Sequence, residues 1–378
     1  MTGAVRNALV VGAGLAGTAA AGAMQRQGID VDLIEIEPEP TFRGIGIALL
    51  PPALRCMYQL GLANACVERG VPQYTFKTCS ASGTIIEEQP MRGLLDEPYP
   101  PGVGIGRSTL GGILRESALA AGVNARYGTT VKRLVNRPAS VEVELSDGDT
   151  REYDIVVGAD GVWSTTRTEL LPEESPPRYL GQCVWRVSID ARPPEVDGQM
   201  LFLGATTRAG FNPITTDTMY MYVVHRADEP RRRLTPDAAH AELIELLAEY
   251  GGLVGEMRQL LAPDSPAHYG PLYTSFIDGP WYRDRLVLIG DAAHTTPPHL
   301  ASGAGIAIED AIVLAACLGD APDVPVALEA FMRRRFERCR MVIDNSRTLA
   351  RWDLDPAVPG DRVAELAGRT FRALGSPI

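Results

Sequence analysis

The apolar run Ala8-Leu9-Val10-Val11, followed at once by Gly12-Ala13-Gly14-Leu15-Ala16-Gly17, constrains this chain more than any other feature. A short β-branched strand must feed a tight turn, and the turn must open a helix. Gly12 permits the turn, Gly14 leaves the backbone bare for a pyrophosphate, and Gly17 lets helix and strand close on one another. The helix N-terminus then offers unpaired N–H groups and the positive end of its dipole. An Ala-rich segment from Thr18 to Gln27 continues the helix, Gly28 stops it, and Val31–Glu35 reads as the second strand, with Glu35 placed to accept from ribose hydroxyls. Arg6 before an Ala/Gly/Val-rich stretch imitates a secretory leader, but the glycines break any continuous apolar helix, so a leader is not expected.

Two further stretches repeat the strand-then-glycine theme. Ile155-Val156-Val157 leads into GADGVWSTTR, Gly158 to Arg167, and Leu286-Val287-Leu288-Ile289 leads into GDAAHTTPPHLASGAGIAIEDA, Gly290 to Ala311. Each apolar strand delivers a carboxylate, Asp160 or Asp291, to its carboxyl end, where α/β sheets bind ligands. Either acid taken alone reads as a helix cap or a strand-end turn. Repeated beside glycine turns, they point instead to ligand hydroxyls. Gly303, Ala304, Gly305 and Ile306 open a later helix, whose N-terminus favours negative charge on a ligand ring. Together the three stretches match the adenylate, sugar-alcohol and ring ends of one FAD molecule.

Length and charge agree with an α/β enzyme. At 378 residues the chain exceeds one ordinary core, so two domains are expected. A net charge of −11 without a long basic run argues against nucleic acid as a partner, and Arg231-Arg232-Arg233 and Arg333-Arg334-Arg335 read as solvated faces. No apolar run reaches the ~18 residues of a membrane span. The six cysteines form no C-x-x-C pair and no His/Cys metal spacing, so they read as reduced, packed thiols in a cytoplasmic protein with no metal site.

The organisation is interleaved. Residues 1–75, 102–174 and 281–350 are expected to form a Rossmann-like FAD-binding domain. Residues 76–101 and 175–280 are expected to form a smaller substrate domain on a mostly antiparallel sheet, with strands at Cys183–Ile189, Met200–Leu203 and Met219–Val224 punctuated by prolines. Helices are predicted over Thr109–Ala121, Pro236–Tyr250, Ala304–Leu318 and Val326–Leu349, and a hairpin turn at Asp147-Gly148. Residues 351–378 are a C-terminal helical tail.

The three glycine stretches, in this order from Val10 to about Ala315, resemble those of the class A flavoprotein monooxygenases, the group of para-hydroxybenzoate hydroxylase and the salicylate-hydroxylase-like enzymes. The resemblance implies that Gly12, Gly14, Leu15, Ala16, Gly17, Glu35 and Ile36 hold ADP. It places Val131 beside adenine, and Arg107 near the pyrophosphate and ribityl chain. Arg43, Gly46 and Ile47 fall in the loop along the flavin edge, with Asp160, Asp291, Pro298 and residues Gly303 to Ile306 at the cofactor. Many relatives have Asn where this chain has Gly305, so a side-chain contact to the flavin is replaced by backbone alone.

The activity implied is transfer of one atom of O2 to an aromatic or heteroaromatic ring through a flavin C4a-hydroperoxide. NADH or NADPH serves as transient donor, in a monomer or homodimer. Rival readings are an FAD-dependent reductase of the geranylgeranyl type and a non-catalytic dinucleotide-binding protein of the same fold. A flavin-dependent halogenase is disfavoured because the W-x-W-x-I-P stretch is missing. On the substrate side, period two places Tyr220, Tyr222 and Val224 on one strand face and Met221, Val223 and His225 on the other. Trp185 and Phe202 read as core, and His294 as structural or cofactor-side. Arg186 suits an anionic substrate group. Pro298 offers a carbonyl without a competing N–H. His299 is the candidate base.

Overall fold

The structure is a computed structural model that describes residues 5–174, 176–230, 234–353, 355 and 357–378; Arg231-Arg232-Arg233 lie outside the described residues. Strand Asn7–Val11 runs parallel to Ile155–Gly158 on one side and Asp30–Glu35 on the other. Leu286–Leu288 and Asn124–Tyr127 extend the sheet in parallel, and Tyr282–Arg283 closes one edge antiparallel. The inner strands are buried on both faces, as their unbroken apolar runs require. Helix Leu15–Arg26 packs between Arg107–Ala120 and Gly303–Asp320. Because neighbouring strands run the same way, Gly12, Gly158 and Gly290 all emerge at one edge. That edge is where the site is built.

A second body is a seven-stranded sheet. Its spatial order is Ala267–Thr274, Arg178–Ile189, Met219–Arg226, Thr207–Pro213, Gln199–Leu203, Thr75–Ser80 and Ile85–Pro90, antiparallel except where 199–203 meets 75–80. One face buries Trp185, Phe202, Phe211, Met221 and Val223 against helices Pro236–Leu246 and Gly252–Gln259. Trp185 and Phe202 are thus core. The sequence missed strand Thr207–Pro213 because Gly210, Asn212 and Pro213 read as loop; pairing on both sides overrides that propensity.

The two bodies meet through a small sheet of Gly46–Leu49, Gly102–Gly106 and Val71–Gln73. Glycine is needed at this seam. A Cβ on Gly104 would stand 2.0 Å from the Pro213 carbonyl oxygen, and one on Gly46 would stand 2.5 Å from the Tyr220 ring. Gly46 and Ile47 therefore lie in a strand rather than the loop expected for them. A further meander, Val131–Asn136, Val141–Leu145 and Thr150–Tyr153, turns at Asp147-Gly148, where Gly148 has φ +93°.

The long C-terminal helix runs Val324–Asp353, beyond the predicted 326–349. Helix Gly360–Leu374 folds back on the molecule, its end held by Arg55 donating to the Leu374, Gly375 and Ser376 carbonyls and by Arg338 donating to Leu374. Among the described residues no helix is long and apolar enough to cross a membrane.

Candidate functional site

The first glycine motif has the geometry its spacing demands. Gly12 adopts φ +101°, and a Cβ there would meet the Ala159 carbonyl oxygen at 2.6 Å. A Cβ on Gly17 would fall 1.9 Å from the Gly12 carbonyl oxygen. Gly14 is different: nothing lies within 4 Å of its missing side chain. It begins helix Leu15–Arg26, where among the described residues no side chain caps the N–H groups of the first turn. The Leu15 side chain is buried core and Ala16 is half-buried, which leaves their backbone as the available donor. Glu35 accepts from Ala13 N–H at 2.8 Å and from Glu37 N–H at 3.0 Å, tying the second strand to the glycine turn. Ile36 is exposed, and Arg43 pairs at the surface with Glu37. Thr129 donates its N–H to the Glu35 carbonyl, which brings Val131 to the same strand end.

Asp160 and Asp291 stand at the ends of adjacent parallel strands, yet their surroundings differ. The Asp160 carboxylate accepts from Ser164 Oγ at 2.5 Å, Thr165 Oγ1 at 3.2 Å, Thr166 N at 2.9 Å and Thr166 Oγ1 at 3.0 Å. It anchors the start of helix Thr165–Leu170, which Ser164 also caps. Its hydrogen-bonding capacity is occupied within its own loop, so the cap reading describes this acid. Asp291 is half-buried, and among the described residues nothing donates to its carboxylate. Burial pushes its pKa up, and the charges of His294 and Arg107 oppose that. Arg107 opens helix Arg107–Ala120, with its Cδ about 3.1 Å from where a Gly44 Cβ would sit.

Gly290 draws the first and third motifs together: a Cβ there would touch Ala16 Cβ and Ala307 Cβ, each at 3.1 Å. Helix Gly303–Asp320 also starts without a side-chain cap, because Ser302 Oγ donates instead to the Leu300 carbonyl. The N–H groups of Gly303, Ala304 and Gly305 are therefore free of intrahelical partners, and Ile306 makes the first backbone bond, to Ser302. A Cβ on Gly305 would lie 3.2 Å from Ala53 Cβ, so a side chain there would press on Ala53.

This helix is braced by a buried ionic cluster that the sequence reading missed. Asp310 accepts from His294 Nε2 at 2.6 Å, from Gly290 N–H at 2.9 Å and from Arg335 Nε at 2.7 Å. Glu309 accepts from Arg335 at 2.7 Å and Arg338 at 2.8 Å. Arg335 is fully buried, so its reading as part of a solvated face is corrected: with Arg338, Cys339 and Val342 it lies on the inward stripe of its helix. Two adjacent acids inside the apolar run Gly303–Leu318 were the available signal. Burial pushes the Asp310 carboxyl up, but His294 and Arg335 prevail and hold it at about 2. Burial disfavours charge on His294, yet Cys339 and Asp310 raise its pKa well above the ordinary value. His294, Asp310 and Cys339 lie within 4.8 Å of one another, but the Arg335 guanidinium already fills the cation's place.

The substrate-side candidates gather on the sheet face turned toward the first body. Arg186 opposes Tyr222 on one neighbouring strand and His268 on the other, and Tyr222 opposes Gly210. A Cβ on Gly210 would sit 2.3 Å from the Tyr222 hydroxyl, so glycine gives that ring its place. Tyr220 and Tyr222 are half-buried while Met219, Met221 and Val223 are buried, which is the alternation period two requires. Among the described residues no carboxylate pairs with Arg186. Burial lowers its pKa, and the Arg107 charge adds to that against Tyr220 and Tyr222. Burial, with Tyr220 and Asp353 adding, pushes the Tyr222 phenol up and keeps it a donor.

Pro298 opens the turn Pro298–Leu300, and its carbonyl already accepts from Ala301 N–H at 2.8 Å. The His299 ring is 7% exposed and lies 3.7 Å from Asp353, a residue sequence reasoning did not single out. Among the described residues neither ring nitrogen has a hydrogen-bond partner. Burial holds its pKa low, with Asp353 opposing.

The FAD binding domain family matches residues 6–346. The chain is 30% identical over 378 residues to the putative FAD-dependent monooxygenase YetM of Bacillus subtilis, covering 98% of this chain and 99% of the relative. It is 30% identical over 363 residues to 6-hydroxynicotinate 3-monooxygenase of Pseudomonas fluorescens, covering 92% of each. Among solved structures it superposes on Klebsiella pneumoniae HpxO complexed with FAD and uric acid with a TM-score of 0.84 at 23% identity, covering 98% of this chain and 92% of that one. It superposes on the tetrameric form of 2-methyl-3-hydroxypyridine-5-carboxylic acid oxygenase with a TM-score of 0.79 at 25% identity, covering 97% and 96%.

Proposed function

This chain belongs to the FAD-binding-domain family of class A flavoprotein monooxygenases, and from that premise we propose that it hydroxylates a small aromatic or heteroaromatic ring bearing an anionic group. It is an FAD-dependent, NAD(P)H-consuming monooxygenase. One observation carries the fit of the cofactor. Two helices with uncapped N-termini, Leu15–Arg26 and Gly303–Asp320, meet at Gly290, and the unengaged carboxylate of Asp291 stands beside their junction. Donors for phosphate and for an electron-rich ring, with an acceptor for sugar hydroxyls between them, are the parts FAD requires.

In this reading segments 1–75, 102–174 and 281–350 carry FAD, and 76–101 with 175–280 carry the substrate. Gly12, Gly14, Ala16, Gly17 and Glu35 hold the adenylate end, with Val131 alongside. Arg107 and Asp291 hold the middle, and the N–H groups from Gly303 to Ile306 hold the ring. Bound there, FAD would supply the redox chemistry: two electrons from NAD(P)H, and delivery of one oxygen atom of O2 to the ring with the other leaving as water.

The protein's own side chains orient and protonate. Arg186, without a carboxylate partner among the described residues, receives the substrate's anionic group; this is the basis for the substrate class. Tyr222, kept protonated, donates its O–H to a substrate oxygen. His299, kept neutral, takes the substrate's hydroxyl proton at a ring nitrogen. The close-packed glycines Gly46 and Gly104 seal the seam against water.

The test is a screen of hydroxybenzoates, anionic N-heterocycles and their uncharged counterparts, following NAD(P)H oxidation, peroxide release and product mass. Anionic rings should stimulate oxidation and gain one oxygen. A colourless protein that refuses added FAD, or oxidation with no oxygenated product from any compound, sinks the reading.

A further inference from the structure

On the rim of the junction between the two bodies lies a groove of about 270 Å³ lined by Arg178, Leu180, Asp344, Arg347, Thr348 and Arg351. Arg178 begins strand Arg178–Ile189. The other polar residues share one stripe of helix Val324–Asp353, at the three- and four-residue spacings that stack side chains. Three guanidinium groups face one carboxylate. Asp344 accepts from Arg347 at 3.4 Å, and Arg351 donates to Thr348 Oγ1 at 3.1 Å. Among the described residues no carboxylate pairs with Arg178 or Arg351. Burial depresses the Arg347 pKa, Asp344 opposes that, and the like charge of Arg178 depresses it further. A cationic excess held against its own repulsion is the electrostatic footprint of an anion site, above all in a chain whose net charge is −11.

We propose that this groove docks the phosphates of the nicotinamide donor: the pyrophosphate of NADH or NADPH, and the additional 2′-phosphate of NADPH. The inference rests on the monooxygenase reading above, which requires a polyanionic donor to reach the flavin but assigns it no surface. The groove is connected to the cofactor segment by short bonds. Arg347 Nε donates to Thr274 Oγ1 at 3.0 Å, Thr274 Oγ1 donates to the Thr295 carbonyl at 3.0 Å, and Thr295 Oγ1 donates to the Asp291 carbonyl at 2.9 Å. A donor anchored there is one layer of side chains from the segment that carries Asp291. Along the same strand Tyr273 supports the ring of Trp163, centroids 5.0 Å apart and edge-on. Trp163, from the Gly158–Arg167 loop, is 60% exposed, an unusual placement for so large an apolar ring. It offers a face on which a base of the dinucleotide stacks.

Charge reversal at Arg178 and Arg351 tests the idea, because neither side chain braces the cofactor segment as Arg347 does. The holoenzyme and the R178E/R351E variant are compared in three ways: anaerobic flavin reduction by NADH and by NADPH in rapid mixing, calorimetric titration with NADP+, and titration with inorganic pyrophosphate. The double variant is expected to weaken the apparent Kd for both donors by at least about tenfold, more for NADPH than for NADH, with the limiting reduction rate within about twofold. NADP+ and pyrophosphate should lose heat in parallel, while FAD content and the affinity for an aromatic ligand hold. W163A should weaken the donor a few-fold without altering pyrophosphate binding. Unchanged donor Kd values in the double variant overturn the proposal, as does loss of pyrophosphate binding alone. A wild-type flavin that neither donor reduces would instead overturn the monooxygenase reading.

Discussion

The loops Gly158–Arg167 and Gly290–Leu300 begin alike and end differently. Each leaves the carboxyl end of a buried parallel strand through a glycine, and each presents an aspartate within two residues. In the first loop Gly161-Val162-Trp163 is followed by Ser164, Thr165 and Thr166, short hydroxyl side chains that turn back and occupy the Asp160 carboxylate. In the second, Ala292 and Ala293 offer no side-chain donor, and Thr295 and Thr296, at the offsets of Ser164 and Thr165, donate to the Asp291 and Pro297 carbonyls instead. His294, which does offer one, is taken by Asp310. The strand end decides where a carboxylate is placed. What comes after it decides whether the carboxylate is left for a ligand.

Substitutions along these loops break or sharpen that contrast. The largest effect belongs to Asp310, because it holds both Gly290 and His294 and so sets the second loop's shape. Asp310→Asn leaves Arg335 buried beside a neutral partner and should cost about 3–5 kcal/mol, read as a lowered midpoint in urea or thermal unfolding. The pH dependence has a definite sign. Asp310 is held below its ordinary value of 3.8, at about 2, so its stabilisation is fully present above 3.8 and is lost as pH falls toward 2. The gap between wild type and Asp310→Asn should therefore narrow across that window. A constant gap would mean that the carboxylate charge is not what stabilises the loop.

Next in size is Asp291→Ala. Losing one charge-assisted contact should weaken FAD by roughly 1.5–3 kcal/mol, about ten- to a hundredfold, while the apoprotein unfolds as before. Equilibrium dialysis of the flavin, with melting of the apoprotein, checks both halves. Full occupancy in the variant would remove Asp291 from the site.

Asp160→Ala is the complement and the smallest effect. It removes bonds at a helix start and should cost roughly 1 kcal/mol of stability while flavin affinity is kept. If flavin binding fell and stability did not, the contrast between the two loops would be reversed.

The centre of the parallel sheet was legible because Asn7–Val11, Ile155–Gly158 and Leu286–Leu288 are largely apolar and lead into glycine turns, whereas the polar edge strand Asn124–Tyr127 carries no such signal. The glycine roles were legible too, since Gly17 is demanded by the Gly12 carbonyl in the same turn and Gly12 by the turn's positive φ, although the Ala159 carbonyl that also crowds Gly12 comes from a distant strand. The seven-stranded sheet was only partly legible. Strands with buried alternation, such as Met219–Arg226, declared themselves, whereas Thr207–Pro213 is a strand only because its neighbours pair with it. Arg335 misled because three consecutive arginines look solvated. Only the helix register against Glu309 and Asp310 shows that the third of them points inward.

By itself the sequence determined the local geometry: tight turns, helix starts, buried strands and the residue at each strand's end. These follow from steric limits and periodicity that act over a few residues. Tertiary structure decided the partners of each charged group. It occupied Asp160, left Asp291 and Arg186 without counterparts among the described residues, buried Arg335, and set Arg178 beside Arg347 and Arg351. The physical reason is that a charge's solvation and pairing depend on groups distant in the chain, which only folding brings within reach.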